Sequence, residues 1–340
     1  MSKPGRTAAR PQAGQRPPHP LLLVAELRAI AEFASGVLLR QAVQRRAPGG
    51  DGHPVVVLPG LSASDRSTGL LRRFLRELGY DAQPWGLGRN KGLRPGRVEQ
   101  IREQLHSLHA RHGAKVSLVG QSLGGLFARE LAKLEPQLVR QVITLGSPFT
   151  GHLNATNAQR VYERLSGKRI ADVDPAVHAG LRVKPPVPTT SVYSKLDGVV
   201  TWHRSIEPAR PGGESIHLRG CSHLGMAASP AALYLIAHRL AEPVAAWRPF
   251  APRGWQRLVY GVHDPLRSTG RSHAAAQAAR QTGSNQALQR PRRLSMNKPW
   301  RASCSPGVPA EIEAMAELPD GKGGKVLRRG LRDRTRASEH

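Results

Sequence analysis

The amino-acid sequence predicts an α/β protein with a mostly parallel central sheet and helices on both faces, and three observations carry that class. From His53 onward, short apolar runs alternate with segments of helical periodicity. Gly- or Pro-bearing turns separate the two kinds of segment. At the middle of the pattern, the apolar run Val116 to Val119 passes straight into Gly120-Gln121-Ser122-Leu123-Gly124 and then into the helix-forming stretch Leu126 to Leu134, a strand, a sharp turn and a helix in immediate succession.

Taken in order, residues 1–20 are rich in Pro, Arg and Gln, too poor in apolar side chains to fold, and are expected to form a disordered arm. In residues 21–45, Leu23, Leu27, Ile30, Phe33, Val37 and Leu38 recur at helical spacing with Glu26, Arg28, Glu32 and Arg40 among them. The charges cut this amphipathic helix into apolar runs shorter than the roughly 18 residues of a membrane span. The run Leu21 to Ala25 is too short for a secretory core. Packing against its own domain is the expected use, with contact to a membrane surface the lesser alternative.

Strands are expected near 54–58, 80–84, 115–119, 140–145, 188–193 and 214–218. Helices are expected near 66–78, 97–112, 122–134 and 230–241, the last opened by Ser229 as cap and Pro230 in its first turn. Residues 150–187 interrupt the alternation and end in Lys184-Pro185-Pro186-Val187-Pro188, which suggests a short helical cap over the sheet. These elements make one domain over residues 21–250. Residues 251–340 read as a basic, largely disordered tail with one short helix near 309–318.

The serine motif carries chemistry. Glycines two residues before and two after Ser122 let strand and helix backbones pass close and permit a strained turn that holds its hydroxyl clear of the sheet. A serine hydroxyl is a poor nucleophile at neutral pH, so it needs an imidazole to take its proton and a carboxylate to orient that imidazole.

With this motif in place, the chain from about His53 to about Leu240 resembles the α/β-hydrolase superfamily, in its lipase and esterase branch. Val55-Val56-Val57-Leu58 followed by Pro59-Gly60-Leu61 resembles the strand and loop that supply half of an oxyanion hole. Ser191-Val192-Tyr193-Ser194-Lys195-Leu196-Asp197 resembles the strand and loop that end in the acid. Cys221-Ser222-His223-Leu224-Gly225 resembles the loop that presents the histidine. The order nucleophile, acid, histidine is that family's order.

The resemblance implies Ser122 as nucleophile, Asp197 as orienting acid, His223 as base and acid, and the backbone N–H groups of Leu61 and Leu123 as oxyanion donors. Asp172 and Asp174 are rival acids without a preceding strand, and His203 and His152 are rival histidines. Many lipases of that branch carry His-Gly in place of Pro59-Gly60, His or Tyr in place of Gln121, and a His where Phe149 follows Ser147-Pro148. The substrate is therefore left open.

The implied activity is hydrolysis of a carboxylic ester through an acyl-enzyme. Acyl transfer on the same triad and a non-catalytic scaffold for anionic surfaces are the alternatives. A small-molecule or lipid ester is the expected partner, and the oligomeric state is open. No cofactor is expected, and no His, Cys and carboxylate spacing suggests a metal site.

The chain carries a net charge of +27, which would attract nucleic acid or anionic membranes non-specifically. Residues 251–340 hold 17 Lys and Arg against 7 Asp and Glu, so most of the excess lies in residues 1–250 rather than in one cluster. Arg far exceeds Lys, and Ala, Gly and Pro abound, a composition that a GC-rich genome yields without selection for binding. Aromatic residues are too sparse in the tail for base stacking, so no specific nucleic-acid partner is expected. Two cysteines, Cys221 and Cys304, give no disulfide framework, which is compatible with a cytoplasmic protein.

Overall fold

The computed structural model describes residues 17–92, 94, 96–150, 156–166, 179–207 and 210–263. The expectations for residues 1–16, for most of the cap, for His152, Asp172 and Asp174, and for residues 264–340 with Cys304 and the helix near 309–318 lie outside the described residues.

Seven strands form one sheet in the order β2-β1-β3-β4-β5-β6-β7. They are β1 (Pro54–Leu58), β2 (Asp81–Pro84), β3 (Val116–Gln121), β4 (Val139–Leu145), β5 (Thr189–Tyr193), β6 (Gly213–Leu218) and β7 (Tyr260–Val262). All pairings are parallel except β6 with β7. Strand β1 reads Pro-Val-Val-Val-Leu and every residue of it is buried, as expected of a strand covered on both sides.

Successive side chains divide between two cores. Val55, Val57, Val119 and Ile143 face Phe74 and Leu75 of α3 (Gly69–Glu77) and Leu233 and Ile236 of α7 (Pro230–Leu240). Val56, Leu58, Leu118 and Val142 face Ile101 and Leu105 of α4 (Arg97–His112) and Phe127 and Leu131 of α5 (Leu123–Leu134). Helix α7 is capped as expected, the Ser229 hydroxyl accepting the Ala232 N–H at 3.2 Å. Helix α6 (Gln159–Ser166) lies in the described part of the expected cap.

From β1 the chain crosses to β2 on one side and returns to β3 on the other, so the direction of winding reverses between β1 and β3. The crevice outside the carboxyl ends of those two strands is where an open parallel sheet holds its ligands.

Two expectations are corrected. The domain does not stop at residue 250: helix α8 (Gln256–Val259) and β7 extend it. The Tyr260 ring is buried and its hydroxyl donates to the Ala231 carbonyl at 2.7 Å. A three-residue strand holding a glycine carries too little apolar periodicity to be recognised in sequence.

The second correction concerns the N-terminal segment, which is not one helix but α1 (Pro20–Val24), a 3₁₀ turn (Ala25–Arg28) and α2 (Ala29–Gln44). Its apolar stripe faces outward: Leu27, Ile30 and Leu38 are 71%, 72% and 80% exposed, and Leu23, Phe33 and Val37 are exposed too. The buried residues are Glu26 and Gly36. At Gly36 the helix runs so close to the chain before α7 that a Cβ would lie 2.0 Å from the Ala228 carbonyl oxygen. No described helix is long and apolar enough to cross a membrane.

Candidate active site

Ser122 stands at the turn between β3 and α5 with φ 51° and ψ −119°, a positive φ that costs an L-residue roughly 1–3 kcal/mol. The surroundings enforce it. The Ser122 N–H donates to the Leu145 carbonyl at 2.8 Å. A Cβ at Gly120 would lie 2.4 Å from the Gly124 carbonyl oxygen, and one at Gly124 would lie 2.3 Å from that of Leu58. Both glycines are thus demanded by the close passage of α5 over β1 and β3.

The register places Leu58 of β1 beside Gly120 of β3, so the loop Pro59-Gly60-Leu61 comes to rest next to Gln121 and Ser122. Asn90 fixes that loop by donating to the Pro59 carbonyl at 2.9 Å, while its own carbonyl accepts the Ser62 N–H at 2.7 Å. Leu61, Ser122 and Leu123 line one apolar pocket together with Leu126, Leu181 and Val200. The Leu123 N–H is at the first position of α5, where no preceding turn supplies a carbonyl partner.

Asp197 and His223 follow β5 and β6. Their contact is a 2.7 Å hydrogen bond between Asp197 Oδ2 and His223 Nδ1, and both residues are buried. Asp197 Oδ1 accepts the Val199 and Val200 N–H groups at 2.9 and 2.7 Å, which fixes the carboxylate plane. Nδ1 donating to a carboxylate leaves Nε2 as the free lone pair of a neutral ring. Gly146 packs against this pair with φ +59°, and a Cβ there would press to 3.0 Å on both Asp197 Oδ2 and His223 Nδ1.

The loop bearing His223 is held from two directions. Gln121, the neighbour of Ser122, donates its side-chain amide to the His223 carbonyl at 3.0 Å. From below, Glu26 accepts the N–H groups of His223 and Leu224, each at 2.9 Å, and that of Gly198 at 2.8 Å. Glu32 accepts the Ser222 N–H at 2.9 Å and its hydroxyl at 2.7 Å.

Burial disfavours the imidazolium of His223. The Asp197 charge, its hydrogen bond and the Glu26 charge outweigh that cost and raise the ring's pKa above the ordinary histidine value. Neither glutamate was singled out as a site residue from sequence. The available signal was that Glu26 and Glu32 are the only acids among the first 50 residues.

The structure thus gathers Ser122, Asp197, His223, Leu61 and Leu123 at the carboxyl ends of β1, β3, β5 and β6. The rival His203 stacks its ring on Trp202 at 3.6 Å in a 3₁₀ turn, and burial and neighbouring cations lower its pKa. Behind the site, Arg129 of α5 forms a buried two-pronged ion pair with Glu207, and its guanidinium lies 3.8 Å from the centre of the Phe149 ring.

Comparison with known proteins gives a partial likeness. Over 109 residues the chain is 34% identical to a triacylglycerol lipase of Pseudarthrobacter phenanthrenivorans, covering 29% of this chain and 34% of that one. Over the same length it is 34% identical to a triacylglycerol lipase of Burkholderia plantarii, covering 29% and 30%. The chain therefore spans about a third of the length of the curated relatives it matches.

Among solved structures it is similar to lipase B of Aspergillus fumigatus, with TM-score 0.45 and 18% identity over 56% of this chain and 53% of that one. It is similar to the mature lipase BlEst2 of Bacillus licheniformis, with TM-score 0.41 and 17% identity over 53% and 89%. No protein-family model matches the chain.

Proposed function

We propose that this chain, which resembles lipases of the α/β-hydrolase superfamily, is a serine hydrolase that cleaves carboxylic esters through an acyl-enzyme. The observation that carries the reading is the buried 2.7 Å bond between Asp197 and His223, the main chain of His223 being tied to Gln121, the neighbour of a serine held in a strained turn at the winding reversal of the sheet.

In the proposed mechanism His223 Nε2 takes the proton of the Ser122 hydroxyl as its oxygen bonds to the ester carbonyl carbon. The carbonyl oxygen becomes an anion and accepts hydrogen bonds from the N–H groups of Leu61 and Leu123. Collapse of that intermediate breaks the bond to the alcohol oxygen, which leaves with the proton from His223. Water then attacks the acyl-enzyme, gives a proton to His223, and releases the acid as Ser122 is restored. Asp197 stabilises the imidazolium without taking its proton. The apolar pocket beside Ser122 suits the acyl portion.

A fluorophosphonate probe tests the reading: it is expected to label the wild-type chain at Ser122 and not the folded Ser122→Ala variant. Equal labelling of the two would sink it.

A further inference from the structure

We propose that the outward face of residues 20–39 is a docking surface for an anionic lipid bilayer, which brings the mouth of the acyl pocket to ester-bearing lipids. The inference rests on the ester-hydrolase reading for its purpose and on the surface itself for its substance.

Every exposed residue from Pro20 to Leu39 is apolar. They include Leu21, Val24, Leu27, Ile30, Phe33 and Leu38, and within helix α2 the face runs from Ile30 to Leu39, about 15 Å. A helix at a water-facing surface turns its charges outward. This one turns them inward: Glu26 and Glu32 are spent on the loop bearing His223, Arg28 donates to the Leu196 and Cys221 carbonyls, and Arg40 pairs with Glu77. A contiguous apolar face of this kind on a described surface marks a binding site.

Its position ties it to the pocket. Asn157 donates to the Pro18 carbonyl at 3.3 Å and to the Gly198 carbonyl at 2.7 Å, and its neighbours Thr156 and Ala158 line the pocket. Leu196 and Leu224, each next to a residue of the proposed triad, are exposed apolar side chains on loops whose main chain Arg28 and Glu26 hold.

Charge selects the occupant. Residues 1–25 hold Lys3, Arg6, Arg10 and Arg16 and no acid, and the exposed Arg45 and Arg46 follow α2. In sequence the apolar segment is thus flanked on both sides by cations, the pattern that suits an anionic bilayer. A second copy laid on the same face would bring together two chains of net charge +27. The chain's own residues 264–340 hold 15 Lys and Arg against 7 acids, and only 9 Leu, Ile, Val and Phe, so they make a poor cover for it.

The test uses the full chain carrying Ser122→Ala, so that vesicles survive and the outcome does not depend on hydrolysis. It is mixed with phosphatidylcholine vesicles with and without about one third phosphatidylglycerol at physiological salt. Sedimentation with the anionic vesicles is expected, and adding Ile30→Glu with Leu38→Glu should weaken it about tenfold or more with the melting temperature unchanged. The uncharged pair Ile30→Gln and Leu38→Gln should weaken it as well, which separates lost insertion from added negative charge.

No sedimentation of the parent chain overturns the proposal, as does binding that both double variants leave intact. A dimer that forms without lipid and dissolves in the double variants overturns it in favour of a second copy. Failure of the fluorophosphonate test with vesicle binding intact would remove the enzyme reading and leave the docking surface standing.

Discussion

Glu26 and His223, far apart in sequence, meet through a 2.9 Å bond from the histidine main-chain N–H to the Glu26 carboxylate. The same oxygen accepts the Gly198 N–H at 2.8 Å, so one side chain joins the loop of the proposed base to the loop of the proposed acid. In Glu26→Gln the amide sets a donor against a main-chain donor and removes a buried charge. We expect a stability loss of about 1–3 kcal/mol, a lower kcat with KM little changed, and an acid limb of the kcat/KM profile moved to lower pH. A pH-rate profile checks the last point, and an unmoved acid limb would show that the carboxylate acts only as a structural tie.

The raised pKa of His223 fixes the sign of the wild-type pH dependence. The proposed base works as neutral imidazole, so kcat/KM should rise with pH through a midpoint above the ordinary value of 6.5. Stability runs the other way. A group whose folded pKa lies above its unfolded value stabilises fully below pH 6.5, and that contribution is lost as pH climbs through the folded value. Asp197→Asn removes the largest of the raising influences. It should shift the acid limb down and lower turnover by about 10³ or more, as measured on a soluble nitrophenyl ester. Turnover within tenfold of wild type would move the orienting role away from Asp197.

The fully buried pair of Arg129 and Glu207 binds α5 to the chain before β6. Arg129→Met leaves the Glu207 carboxylate buried without its partner, which should cost about 3–5 kcal/mol in denaturant unfolding. Adding Glu207→Leu removes the stranded charge and should restore a large part of that loss. A double variant no more stable than the single one would refute this account of the pair.

Much of the fold was legible because its signals are local. Val98, Ile101, Leu105 and Leu108 repeat at helical spacing, and α4 runs over the span they mark. Strand β1 is a continuous apolar run because both of its faces are covered. The N-terminal segment shows the limit of such reading. Periodicity says that Leu23, Leu27, Ile30 and Phe33 share a face, but whether that face meets protein or solvent depends on what packs below it. Here Glu26, Glu32 and Gly36 do the packing, on loops more than 170 residues downstream. The residues of the candidate site could be named because each follows a strand by a short loop. The bonds from Glu26, Glu32 and Gln121 that hold those loops depend on the folded topology and leave no spacing to find.

The sheet ends in two short margins, β2 with four residues closing on Pro84 and β7 with three. Proline has no N–H to give a neighbouring strand, and three residues leave little room for a ladder. Neither border therefore offers an incoming extended chain enough unsatisfied backbone to prolong the sheet. The described sheet can thus sit beside an outward apolar face on a helix, whose own backbone is already paired, without its borders also presenting an open template for fibril growth.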